Sequence, residues 1–364
     1  MNELENARKT ISQIDKEMSV LFEKRMEAVR LVADYKKEHG LSILDESREK
    51  EIIKTNSKYV TDSEIKEYYI KFLENTMSLS RNYQSRLIEG MKVAYSGVEG
   101  AFAYIASKKM FPYANLVAYS SFEEAYKAVT DGECDTCVLP IENSFAGDVG
   151  TVMDLIFSGS LYINQVIDLP IEHNLLANEG ATLETIKQVI SHPQALSQCS
   201  GFIEKHNYEA KPHTNTAMSA QLVKESGSIE IGAIASDETA KIFGLKIIES
   251  KINESRNNTT RFGAFSRAQR KNTSNKRNMN DHFILVFTVK NEAGALAKTL
   301  DIIGAHGFNM RNLRSRPMKN LLWNYYFYIE ADGSVNTQDG KDMLRELSAT
   351  CDKLKLVGIY NTEN

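Results

Sequence analysis

The first 38 residues contain neither glycine nor proline, and their apolar side chains keep returning to one face. Leu4, Ala7, Ile11, Ile14, Met18, Leu21, Ala28, Val32 and Tyr35 form a near-heptad seam, which specifies one long helix with a face that needs a partner. One position is out of place. Arg25 stands where the pattern wants an aliphatic residue, and a guanidinium on a buried face is costly unless a carboxylate or other anion meets it. His39-Gly40 ends this helix, and a second is expected from Asp45. Thr61 with Glu64 reads as a capping box opening a third helix that runs to about Glu89. Residues 1–90 carry no strand pattern and are expected to be all-α.

From Met91 the pattern changes. KVAYS, Leu116–Tyr119 and CVLPI read as strands, GVEGAF as a turn into a helix, and Ser121 with Glu124 as another helix cap. Strand–helix alternation continues to GAFS near residue 266 and implies an α/β region with a largely parallel sheet. Its length allows two lobes with a cleft between them. Residues 268–281 are polar, basic and aperiodic, the signature of a solvated linker rather than a nucleic-acid arm. Then HFILVFTVK, a helix from Ala295, an element at Arg311–Arg316, the strand WNYYFYIEA and a helix from Gln338 give a βαββα order over 282–362.

Composition narrows the functional classes. The chain has 364 residues, is 42% hydrophobic and 25% charged, and carries a net charge of -4, which argues against nucleic acid or an anionic membrane as the main partner. No signal-like or membrane-length apolar run is present. Four irregularly spaced cysteines fit a reducing, cytoplasmic setting. Cys134 and Cys137 form a lone C-x-x-C that runs into a strand, a poor fit to zinc or redox chemistry. GVEGA lacks the first glycine of a dinucleotide fingerprint. No cofactor or metal is expected.

Lys36 lies eleven residues after Arg25, about three turns and roughly 16 Å along the helix, so both project from nearly one face. Arg48 and Glu49 on the second helix, and Ser80 with Gln84 one turn apart on the third, add polar groups able to face the same interior. Ordinary surface ion pairs explain each residue singly but not the set. Residues 1–90 resemble the all-helical chorismate mutase family. That resemblance implies that Arg8, Arg25, Lys36 and Arg48 grip the carboxylates of chorismate and that Asp45 and Glu49 lie near its ring hydroxyl. It also implies that Lys36 and Gln84 bond the ether oxygen, with Ser80 as a neighbouring contact. A pericyclic rearrangement needs no nucleophile, only a held conformer and donors aimed at the oxygen that gains charge. Arg8 precedes Arg25 by 17 residues, about 25 Å, and Lys36 by about 42 Å. One small substrate cannot touch both ends, so Arg8 would have to come from a second chain in an antiparallel homodimer or higher oligomer.

VLPIENSFAGDVG (Val138–Gly150) places an amide and a hydroxyl just after a strand, SHPQAL (Ser191–Leu196) puts Pro193 in the first turn of a helix, and NTTRF (Asn258–Phe262) sets two hydroxyls and an arginine at a strand start. With AYSGVEGAF, LPIEHNLL and TNTAMSA they resemble the prephenate dehydratase family over residues 91–267. The resemblance implies that Thr260 is the essential hydroxyl, either positioning or relaying a proton, with Arg261 and Phe262 beside it. Asn143, Ser144, His192 and Thr216 are further candidates for binding prephenate.

Residues 282–362 resemble the ACT domain, a small ferredoxin-like α+β module. Asn291, Gly294, Ala295, Leu296, Asn309 and Ser315 match its effector-binding segments, which implies phenylalanine as effector; a dimerisation module without ligand is the other reading. Arg314 departs from the acid usual there. The fold class implied is multidomain: a helical mutase, a two-lobed α/β dehydratase and an ACT domain. The competing reading is a non-catalytic sensor, in which Lys36 and Thr260 would be replaceable.

Overall fold

The computed structural model describes residues 2–255, 257–269, 281–318 and 324–361, and divides into two compact units, Met1–Lys92 and Val93–Asn364. The expected linker falls almost wholly outside the described residues, as does Trp323 of the expected strand. Among the described residues no helix is long and apolar enough to cross a membrane.

The first unit is helical: α1 (Glu3–His39), α2 (Glu46–Asn56) and α3 (Lys66–Glu89). Helix α1 opens with a capping box in which Asn2 accepts the Glu5 N–H and Glu5 accepts the Asn2 N–H. It closes at Gly40, where φ is +62°, a conformation glycine adopts without a Cβ clash. The box expected at Thr61 does not form. Asp62 accepts the Glu64 N–H at 2.9 Å, the chain turns, and α3 starts at Lys66 without a side-chain cap. Val29 and Ala33 of α1 pack with Leu73 and Met77 of α3 as buried side chains, whereas Leu4, Ile11, Ile14, Met18 and Leu21 stay exposed.

The second unit begins with a lobe of β1 (Lys92–Ser96), α4 (Phe102–Met110), β2 (Asn115–Tyr119), α5 (Phe122–Thr130), β3 (Thr136–Asn143), β4 (Gly147–Asp148), α6 (Gly150–Ser158) and β5 (Tyr162–Pro170). A second lobe follows: β6 (Asn174–Ala177), β7 (Gln188–Ser191), α7 (Pro193–Gln198), α8 (Ser200–Lys205), β8 (Glu209–Pro212), α9 (Thr216–Ser226), β9 (Ile231–Ala235), α10 (Asp237–Phe243) and β10 (Lys246–Glu249). The chain then returns through β11 (Thr259–Ser266) to the first lobe.

The sheets are mixed rather than largely parallel. Strand β1 runs parallel to β3, but β11 inserts antiparallel between β3 and β5. In the second lobe β7 pairs parallel with β8 and β9, while β6 is antiparallel to β9 and β10. The cause is the double crossing: a chain that leaves one lobe and comes back must re-enter its sheet in the opposite direction. The crossing segments bond to each other, Ile171 N–H to Asn258 O and Ile252 N–H to His173 O, each at 2.8 Å.

The C-terminal portion comprises β12 (Asp281–Thr288), α11 (Ala295–Ala305), β13 (Met310–Pro317), β14 (Tyr325–Asp332), α12 (Gln338–Thr350) and β15 (Lys353–Asn361). The last strand adds to the βαββα order read from sequence. Strand β12 is buried at every position, the mark of a strand covered on both faces. Phe283, Leu285 and Phe287 pack with Ile303, Met343 and Leu347, and Ile284 and Val286 join a core containing Leu139, Ile141 and Ile163 of the first lobe. Strands run in the order β13-β14-β12-β15-β5-β11-β3-β1-β2, with β4 beside β3, as one ten-stranded sheet among the described residues.

Candidate active sites

In the helical unit a cavity of about 210 Å³ brings together Arg25, Lys36, Asp45, Arg48, Glu49, Ser80 and Gln84. Arg8 does not reach it. Arg25 enters from α1 and donates to Ser80 Oγ, and burial lowers the pKa of its guanidinium. Lys36 donates to the Ile43 carbonyl at 2.5 Å, which holds the segment after α1 against the ammonium. Asp45 caps α2, accepting from Arg48 N–H at 3.0 Å and Ser47 Oγ at 2.7 Å, and these bonds depress its pKa. Gln84 is buried, and among the described residues its Oε1 has no partner. A buried unsatisfied amide oxygen is unusual.

One charged residue of this cavity has no counterpart in the sequence reading. Arg81 lines it and forms an ion pair with Glu49, so Glu49 meets a guanidinium from α3. Arg48 pairs along its own helix with Glu51 at 2.6 Å.

In the second unit a cleft of about 500 Å³ is lined by residues of both lobes, among them Asn143, His192, Thr216, Thr260 and Phe262. Asn143 sits at the end of β3, where its Oδ1 accepts the N–H groups of Phe145 (3.0 Å) and Ala146 (2.9 Å). That Asx turn fixes the amide, whose Nδ2 donates to Thr260 Oγ1 at 2.9 Å and Asn258 Oδ1 at 2.8 Å. Because Thr260 Oγ1 accepts from Asn143, its own proton is available to the cleft. His192 accepts the Gln194 N–H through Nδ1 at 3.2 Å, so that N–H at the α7 start is already paired.

Two neighbours of these residues turn away. Side chains alternate along a strand, so Arg261 leaves from the opposite face to Thr260 and Phe262 and bonds Asp168 at 2.9 Å and Glu330 at 3.2 Å. Ser144 joins the strands: its Oγ donates to Asn257 O at 2.9 Å and accepts the Thr259 N–H at 3.0 Å. Neither lines the cleft.

His173 and Gln198 line it without having been singled out from sequence. Gln198 Oε1 accepts from Asn258 Nδ2 and meets His173 Nε2, each at 2.9 Å. An amide oxygen only accepts, so Nε2 carries the proton. Burial depresses the His173 pKa, keeping the ring neutral. The chain of contacts His173–Gln198–Asn258–Asn143–Thr260 thus crosses from one lobe to the other. No Asp, Glu, Lys or Arg lines the cleft among the described residues; its titratable walls are the imidazoles of His173 and His192.

Of the effector candidates, Gly294 is the N-cap of α11 with φ +83°, Ala295 and Leu296 are half-buried and Asn291 is exposed. Asn309 donates to Asp332 at 2.9 Å, and Ser315 is exposed on β13.

A helical cavity rich in cations and a two-lobed neutral cleft define a two-site enzyme acting on small oxygenated substrates. Residues 93–270 match the model for prephenate dehydratase and residues 7–85 that for chorismate mutase type II. A bifunctional chorismate mutase/prephenate dehydratase of Neisseria gonorrhoeae is 32% identical over 275 residues, 75% of each chain. One from Buchnera aphidicola is 29% identical over 98% of this chain and 96% of its own. The crystal structure of prephenate dehydratase from Arthrobacter aurescens in complex with L-Phe aligns with TM-score 0.68 and 28% identity, covering 74% of this chain and 90% of that one. A chain described as a quorum quenching acylase also aligns with TM-score 0.68, so the fold alone does not choose the reaction. The chain belongs to the prephenate dehydratase family. With its mutase segment it is an enzyme of two activities, a chorismate mutase and a prephenate dehydratase of phenylalanine biosynthesis.

Proposed function

We propose that Lys36 and Gln84 stabilise the breaking C–O bond of chorismate while Arg25, Arg48 and a partner copy's Arg8 hold its carboxylates. The convergence of seven of the eight mutase candidates on one cavity carries this reading. The exposed apolar seam of α1 supports a homodimer, because burying it is worth about 25 cal/mol per Å². The product prephenate then enters the second cleft. There its ring carboxylate leaves as CO2, the electron pair moves through the ring, and the ring hydroxyl departs, protonated to water. Thr260, oriented by Asn143, donates toward that hydroxyl, and aromatisation drives the step. A neutral threonine is a weak acid, so its role is to place a proton that solvent or substrate restores.

The strand order β13-β14-β12-β15 with two helices supports an ACT reading for the C-terminal portion. On that reading phenylalanine binds near Gly294–Leu296 and Ser315 and restrains the dehydratase, which requires unequal affinity for two states of the cleft. The buried thiols of Cys137 and Cys199, neither in a disulfide, support a reducing cytoplasm. Purified enzyme given chorismate should yield prephenate and then phenylpyruvate, less of it with added phenylalanine. Prephenate that accumulates unconverted would sink the dehydratase assignment, and unconsumed chorismate would favour the sensor.

A further inference from the structure

A charge cluster between β13 and the first lobe has no part in the chemistry above. Along β13 the side chains alternate, Arg314 on the half-buried face and Ser315 on the exposed one. The Arg314 side chain is 11% exposed and forms ion pairs with both Glu142 of β3 and Asp148 of β4. Its guanidinium also lies 5.6 Å from the centre of the Tyr328 ring. Glu142 and Asp148 are directly opposed partners in the β3–β4 pair, and Asn143 opposes Gly147 beside them. One cation therefore spans the two sides of the hairpin whose next residue orients Thr260. Like charges placed opposite each other destabilise such a pair, and the shared cation removes that repulsion.

The other half of the catalytic pair is tied in the same way. Arg261, next to Thr260, reaches Glu330 of β14 at 3.2 Å. Glu330 is 1% exposed and also accepts the Tyr360 hydroxyl. Both Asn143 and Thr260 thus have an immediate chain neighbour held from the C-terminal strands, on the face of the sheet away from the cleft.

We propose that Arg314 is a positioning residue for the dehydratase reaction: by clamping Glu142 and Asp148 it fixes Asn143 against Thr260. The inference rests on the dehydratase reading and deepens it. Positioning errors near 1 Å can cost about 100-fold in rate, so a slack hairpin base acts on turnover more than on substrate capture.

The test uses the full chain, with dehydratase kcat and KM measured on prephenate, mutase turnover on chorismate as an internal reference, and thermal melting. Arg314→Ala is expected to lower dehydratase kcat by about tenfold or more with KM within about threefold, mutase turnover unchanged, and Arg314→Lys restoring most of the loss. Glu142→Gln/Asp148→Asn removes the clamp without leaving opposed charges, should lower kcat by a similar factor, and keeps the test decisive if Arg314→Ala does not fold. A dehydratase kcat within about twofold of wild type in either folded variant overturns the proposal. So does a fall shared equally with the mutase, which would be general loss of folded enzyme. Wild-type enzyme that makes no phenylpyruvate would instead overturn the dehydratase reading, and the proposal with it.

Discussion

Asn143 donates its Nδ2 proton to Thr260 Oγ1 at 2.9 Å while its own Oδ1 is held by two backbone N–H groups. The amide therefore cannot flip without losing bonds at both ends, and the threonine proton is left to face the cleft. Asn143→Ala and Thr260→Ala should each lower dehydratase kcat about 100-fold, because both remove the same oriented donor. Combining them should cost little more than either alone. Full additivity in steady-state rates would show that the two act separately.

Ser144, one residue on, gives the contrasting case. Its hydroxyl pins the β3 end to residues 257 and 259 without touching the cleft. Ser144→Ala should reduce stability by about 1–2 kcal/mol in urea unfolding and leave kcat within about threefold. A loss of activity as deep as that of Asn143→Ala, in a stably folded variant, would put Ser144 in the site after all.

Arg8 and Lys36 lie on one helix yet are too far apart to share a substrate. Arg8→Ala and Lys36→Ala should each abolish most mutase activity and spare the dehydratase. Mixed, and allowed to exchange subunits, the two inactive proteins should regain about a quarter of wild-type turnover, since half the dimers are mixed and half their sites intact. No recovery in a sample shown to have exchanged would exclude a site completed by a second copy.

Burial holds His173, His192 and His282 below the ordinary histidine range. The unfolded chain takes up these protons near pH 6.5, whereas the folded chain binds them only at lower pH. Stability is therefore complete above about pH 6.5 and is lost as pH falls from there toward the folded-state pKa values. Melting temperatures between about pH 5 and pH 8 should show this decline, shallower in His173→Leu. A flat profile would contradict neutral burial of these rings.

Much of the helical site was legible in sequence because its residues break a pattern. Arg25 interrupts an apolar seam, and Lys36, Ser80 and Gln84 recur at helical spacing. Arg81 left no such trace: a charge on a long helix reads as solvated surface until tertiary packing turns it inward. In the α/β unit the motifs VLPIENS and NTTRF pointed to the right strand ends but not to the right faces. Period-two alternation sends Thr260 and Phe262 into the cleft and Arg261 away from it, and that alternation could have been applied to the motif at once. The return of β11 and the addition of β15 depend on strand direction and partner, which are tertiary properties with little local signature. His173 and Gln198 are found only when segments 25 residues apart meet.

Strand β15 joins the first lobe through one parallel pair, Gly358 opposite Ile163. A Cβ at Gly358 would meet the Ile163 carbonyl oxygen at 2.6 Å, so the seam closes only because that position has no side chain. The C-terminal strands are consequently not a detachable sensor hung on a finished catalyst. A chain shortened after Ser266 would bare the hydrogen-bonding edge of β5 and the apolar patch that Tyr326, Tyr328 and Val357 cover, the ingredients of edge-to-edge aggregation. Shuffling this segment between enzymes would have to carry its underside along with its exposed face.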